Sequence, residues 1–119
     1  MDDAAVRRAV DSWWRARAYA CFEQAVDRYL PAFGGRVAKP TITVKKLTSK
    51  WGSCATQRAH INLNYYLLRA PEMCIDYVVV HELAHFLELA HDARFYKIVG
   101  SILPGWKDCR AALGLERLR

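Results

Sequence analysis

The sequence predicts a small α+β fold from three features. A long stretch of three-four apolar spacing comes first, two short alternating segments follow, and the remainder returns to helical spacing. Residues 3–30 read as a long amphipathic helix: Val10, Trp14, Ala18, Cys21, Phe22, Ala25 and Tyr29 recur on one face. Pro31 and the pair Gly34-Gly35 end it. Trp13 and Trp14 point to slightly different sides and read as core and core edge.

Residues 41–47, "TITVKKL", start β-branched and alternate, which suggests a strand. Residues 59–64, "AHINLN", alternate again, with Ile61 and Leu63 on one face and His60, Asn62 and Asn64 on the other. Between them "TSKWGSCATQR" is rich in small, turn-forming residues. The expectation is a β-hairpin of these two strands around a long connection.

Pro71 suits a first helical position, where its missing N–H is not needed. The helix it opens is expected to run to about Leu89, with Ile75, Val79, Val80, Leu83, Phe86 and Leu87 on one broad apolar side. His81, His85 and Glu88 fall on the other side, with Glu82 at the boundary. Asp76 falls on the apolar side, so it must be exposed near the helix start or paired with a donor. "ARFYKIVGSIL" reads as a further helix stopped by Pro104-Gly105, and "WKDCRAALG" as a short last one ended by Gly114.

At 119 residues, with no repeat and no linker, the chain is expected to be one domain over 1–119. Apolar residues make up 53% and charged residues 25%, a globular balance. Cys21, Cys54, Cys74 and Cys109 are scattered without a C-x-x-C pair, which argues against a cysteine zinc knuckle. No signal segment and no apolar run of ~20 residues is present, so the expectation is a cytoplasmic protein with reduced thiols and no membrane span. The net charge is +6, with Arg7, Arg8, Arg15 and Arg17 near one end and Arg110, Arg117 and Arg119 near the other. A basic surface can favour nucleic acid, but no aromatic-basic motif accompanies the charge, and solvated helix faces account for it.

The chemistry concentrates in "HELAHFLELAH" at 81–91. His81 and His85 are four apart, one turn apart on the same helical face, with Cβ atoms ~6 Å apart. Two imidazoles so placed can converge on one ion. Glu82 is rotated away from both and can act as a base toward a water held beside the ion. For a third ligand the residues leave two candidates. His91 would lie ~9 Å beyond His85 on a straight helix, so it can ligate only if the helix ends near Leu89–Ala90 and the chain turns back. Such a bend usually carries Gly or Asn, and this chain offers Ala90. Glu88 shares the histidine face but is seven residues past His81, too far along a straight helix to join both histidines easily.

Six pieces occur together in order: "KWGSC" at 50–54, "INLN" at 61–64, "AP" at 70–71, "IDYVVVHELAH" at 75–85, "HDARFY" at 91–96 and "LPGW" at 103–106. Through them the chain resembles the YgjP-like metallopeptidase domain family, a relative of the SprT-like and WLM metallopeptidases. The resemblance implies a small zincin-like domain, one zinc ion on His81, His85 and His91, and Glu82 as catalytic base. It also implies an edge strand beside the active-site helix that pairs with an extended substrate; the "HINLN" strand with its preceding "WGSC" loop is the candidate. The chain departs from the family's usual pattern in having Ala90-His91-Asp92 for Asn-His-Ser and Tyr96 for Trp. Longer members carry an additional β-rich region ahead of the first helix.

Further candidates surround the motif. His60 and Tyr96, with Tyr65 and Tyr66, are candidate donors to an oxyanion. Asn62 and Asn64 either face substrate or hold loops. Cys54 is a small buried residue or a fourth ligand, Trp51 a hydrophobic plug, and Gly52 a site of tight backbone approach. Asp76 or Asp92 can orient a ligand histidine. The functional expectation is a zinc-dependent metallopeptidase acting on a peptide or protein substrate. The alternatives are a zinc-dependent hydrolase of nucleotide phosphoanhydrides and a non-catalytic zinc-stabilised module that binds nucleic acid or protein.

Overall fold

The computed structural model describes residues 2–114. The first helix, α1 (Asp3–Tyr29), is capped by Asp2, whose carboxylate accepts from the Ala5 N–H at 2.7 Å. It buries Ala18, Phe22, Ala25 and Val26, so its core contacts lie in its second half. Trp14 is half-buried and its indole N–H donates to the Tyr65 carbonyl at 2.7 Å. The expected core role of Trp13 does not hold: it is 58% exposed, as Val10 is at 54%. A helix of 27 residues spans ~40 Å, longer than the 28 and 22 Å of the two short axes, so its first turns run past the body they pack on.

Three strands form the sheet: β1 (Thr41–Lys45), β2 (Gly52–Ala55) and β3 (His60–Asn64), in the order β1-β3-β2. The expected hairpin of the first and last of these is corrected. β1 and β3 are neighbours but run parallel, with Thr41 opposite His60 and Lys45 opposite Asn64. The hairpin is instead β2–β3, with Gly52 opposite Leu63 and Ala55 opposite His60. It turns through Thr56–Arg58 and Ala59, which sits in the left-handed region at φ 48°. "GSCA" did not read as a strand because glycine, serine and alanine have weak β preference; pairing with β3 supplies what propensity does not. β3 is therefore the central strand, with both neighbours filled, and β2 is an edge.

Ile61 and Leu63 are fully buried, in the same core as the apolar residues of α2 (Glu72–Ala84) and α1. Pro71 precedes the first turn of α2. The helix was expected to present a polar side, yet every residue from Cys74 to His85 is buried. It is a central helix covered by α1, by β2 and by α3 (Ala93–Ile102) and α4 (Trp106–Leu113). Asp76 is resolved as a paired residue: it accepts from Arg28 Nη1 at 3.0 Å and from the Tyr29 hydroxyl at 2.8 Å. The Trp51 indole donates to the Leu113 carbonyl at 2.9 Å and ties the start of β2 to the end of α4. Arg110 lies over the rings of Tyr96 and Trp106, while Arg117 and Arg119 are outside the described residues. Among the described residues no helix is long and apolar enough to cross a membrane.

Candidate metal centre

The expected helix to Leu89 is corrected: α2 ends at Ala84, one residue before the second histidine. The backbone tightens there rather than turning left-handed. The N–H groups of His85, Phe86 and Leu87 donate to the carbonyls of Glu82, Leu83 and Ala84 at 3.2, 3.1 and 3.0 Å, each three residues back. His85 itself keeps right-handed angles, φ −64° and ψ −19°. The segment then leaves the helix axis, and α3 starts after Asp92, which caps it by accepting from the Phe95 N–H at 3.0 Å. No glycine or asparagine is needed at position 90, because the change of direction is made at 85–88 in ordinary helical space.

This exit swings His91 back over the two helix histidines. Its Nε2 lies 3.2 Å from His81 Nε2 and 3.0 Å from His85 Nε2, and the three nitrogens fall within 4.8 Å of one another. Zinc–imidazole bonds of ~2.05 Å in a tetrahedron separate ligand nitrogens by ~3.3 Å, so the spacing fits one small ion. The second ring nitrogens of His81 and His85 are engaged. His85 Nδ1 donates to the Glu88 carbonyl at 3.1 Å, and His81 Nδ1 lies 3.4 Å from the Tyr77 hydroxyl oxygen, which can accept from it. In that tautomer both Nε2 lone pairs point at the shared centre. Phe95, fully buried, packs against the pair: its ring stacks on His85 at 4.6 Å and meets His81 edge-on at 4.8 Å.

Glu82 is fully buried and neither carboxylate oxygen has a hydrogen-bond partner among the described residues. Burial pushes its carboxyl well above the usual range, and Lys50 only partly opposes this. Gly52 of β2 makes the room: a Cβ there would come within 3.0 Å of Glu82 Oε2 and 3.2 Å of the Asn62 carbonyl. Glu82, His85 and His91 form one wall of a cavity of about 250 Å³, and Ser53, Cys54 and Thr56 form the facing wall. The Cys54 thiol is pushed up to about 12 by burial and by the neighbouring Glu82, so it is a protonated wall residue at neutral pH. An orphaned buried carboxylate beside three converging imidazoles is the donor set that a divalent cation with an open coordination position would stabilise.

The remaining candidates fall elsewhere. His60 and Asn62 lie on the outer face of the sheet, opposite Ile61 and Leu63. The His60 ring is held by the hydroxyls of Thr41 and Thr43, and Asn62 Nδ2 donates to Ser53 Oγ at 3.0 Å. Asn64 turns into the loop before β2, donating to the carbonyls of Leu47 and Lys50 at 3.0 and 2.9 Å. Tyr96 stacks on Trp106 at 4.8 Å, with its ring centroid 6.4 Å from that of His91. Tyr65 stacks on Trp14, and Tyr66 meets Tyr65 edge-on. The Glu88 carboxylate pairs with Arg94 at 3.6 Å, while its carbonyl serves His85. Sequence reasoning missed Tyr77, Phe95, Lys50 and Thr56. Tyr77, four residues before His81, and Phe95, inside "HDARFY", carried a signal in their spacing.

Two solved structures share this architecture. The crystal structure of the metallopeptidase zymogen of Pyrococcus abyssi abylysin matches with a TM-score of 0.73, covering 82% of this chain and 99% of that one at 18% identity. The metallopeptidase zymogen of Methanocaldococcus jannaschii jannalysin matches with a TM-score of 0.66, covering 77% and 92%, also at 18% identity. At such identity the likeness is one of fold. No curated protein sequence matches the chain. The description "YgjP-like, metallopeptidase domain" fits residues 1–115. With helix, sheet and histidine cluster all inside that span, the chain belongs to the YgjP-like metallopeptidase domain family.

Proposed function

We propose that the protein is a zinc-dependent peptidase in which His81, His85 and His91 hold one ion and Glu82 is the general base. The observation that carries this reading is the Glu82 carboxylate, buried without a partner beside three imidazole nitrogens that lie within 4.8 Å of one another. A zinc ion bound there supplies Lewis acidity, polarising a carbonyl and making water a better nucleophile. Glu82 takes the proton that the attacking water gives up and delivers it to the departing amine nitrogen. Its low-polarity surroundings raise its proton affinity, which suits a group that must accept and then donate within one cycle. Gly52 keeps the carboxylate's position clear.

The substrate lies along β2. That strand has β3 on one side only, and its residues Ser53 and Cys54 border the cavity. An extended peptide segment can add to its open edge through main-chain hydrogen bonds and present a carbonyl to the histidine cluster. The expected role of the "HINLN" strand passes to "GSCA", because the inner strand has no open edge.

The test offers zinc-loaded protein an unstructured polypeptide and, separately, nucleoside triphosphates, with mass-spectrometric and phosphate detection. Peptide fragments without phosphate release are expected. Phosphate release without fragments would replace this reading with a phosphoanhydride hydrolase. Neither product, with zinc bound, would leave a non-catalytic zinc module.

A further inference from the structure

The cavity at the histidines continues along the edge strand. A second depression of about 380 Å³ adjoins it, sharing Cys54 and Thr56 and ending at Gln57 and Arg58. Arg58 in turn borders a third depression on the outer sheet face, where Lys45 and His60 lie. The path from Glu82 along β2 and around this corner is lined by no carboxylate beyond Glu82 itself. Of the other cations, Lys46 pairs with Asp11, Arg94 with Glu88 and Lys39 with Asp27, while Lys50 acts on Glu82 itself. Among the described residues neither Arg58 nor Lys45 joins an ion pair. Ala59, in its left-handed conformation, turns the chain immediately after Arg58 and leaves that exposed side chain at the corner.

We propose that Arg58 is a specificity subsite for acidic side chains, so that the preferred substrate is an extended peptide carrying Glu or Asp near the cleaved bond. This rests on the peptidase reading. Each residue of an extended segment advances ~3.3 Å, and the turn at Thr56–Arg58 shortens the distance from Cys54. The acidic residue therefore stands about two or three positions from the cleaved bond. With the segment antiparallel to β2, it lies on the N-terminal side. Arg58 otherwise faces solvent with no opposite charge, and a peptide carboxylate supplies one at little desolvation cost.

Three matched peptides, differing only in Glu, Ala or Lys at those positions, separate the outcomes. They are cleaved by wild type and by Arg58→Glu, and their binding to the Glu82→Gln variant, with and without Arg58→Glu, is followed by fluorescence anisotropy. Wild type should favour the Glu peptide over the Lys peptide by about fivefold in kcat/KM, the yield of one exposed ion pair. Arg58→Glu should invert the order with zinc content unchanged, and added salt should erode both preferences. Equal cleavage of all three peptides by both proteins would overturn the subsite and leave the peptidase reading standing. No cleavage of any peptide would count against that reading, and the anisotropy series would still decide the subsite: binding indifferent to peptide charge and to Arg58→Glu would overturn it.

Discussion

Glu82 shows how much of this protein turns on single side chains. A carboxylate removed from water without a hydrogen-bond partner costs several kcal/mol, a cost a soluble fold tolerates only where a cation or a proton answers it. On the proposed reading the three imidazoles beside it would hold that cation. His81, Glu82 and His85 were legible because a helix places residues four apart on one face whatever the surroundings. His60 and Asn62 were legible as a pair sharing one face of β3, but alternation alone does not say which face meets the active site. Their neighbours Ile61 and Leu63 take the inward one. His91 is the residue whose role depends most on tertiary geometry. Replacing His91 with Ala removes one of three converging nitrogens, and zinc affinity should fall by at least about 100-fold, more than loss of an outer hydrogen bond would cause. Chelator competition and metal analysis measure this, and full zinc retention would remove His91 from the ligand set.

At the level of elements, the helices were readable and the strand pairing was not. Periodicity marks α1, α3 and α4 to within a few residues, since each buries one side. It misled on α2, which is buried all round and ends where three-residue hydrogen bonds replace the helical ladder. Nothing in "FLEL" announces that tightening; it accompanies the packing of Phe95 on His85 and the hydrogen bond from His85 to the Glu88 carbonyl. The strand order also lay beyond pattern, because "GSCA" enters the sheet through its partner rather than its propensity. The Asp76 pairing joins α1 to α2 and has a measurable value. Tyr29→Phe deletes the 2.8 Å donor to a carboxylate that is 8% exposed, and stability should fall by about 1–3 kcal/mol in urea titration, with zinc stoichiometry unchanged. A loss below a few tenths of a kcal/mol would show that Arg28 and solvent satisfy Asp76 unaided.

For the molecule as a whole, a metal held as proposed would couple to folding, since the three histidines come from α2 and from the segment between it and α3. The sign for Glu82 in metal-free protein follows from its raised proton affinity. Between the ordinary value of 4.5 and the raised one, the folded state holds a proton that the unfolded state releases. The stability tied to that proton is full below 4.5 and is lost as pH climbs through the window. Metal-free Glu82→Gln does not titrate, so it should melt higher than wild type at pH 7, with the gap closing towards pH 4. Equal melting temperatures at both pH values would mean that the carboxylate is hydrated in solution. The same variant carries the most direct test of the account, cleavage of an unstructured polypeptide by zinc-loaded Glu82→Gln beside wild type, with zinc per chain determined on the same samples. One zinc per chain is expected in each, with the rate reduced by at least about 100-fold in the variant, the contribution of a positioned general base. Undiminished cleavage by a fully zinc-loaded Glu82→Gln protein would contradict it.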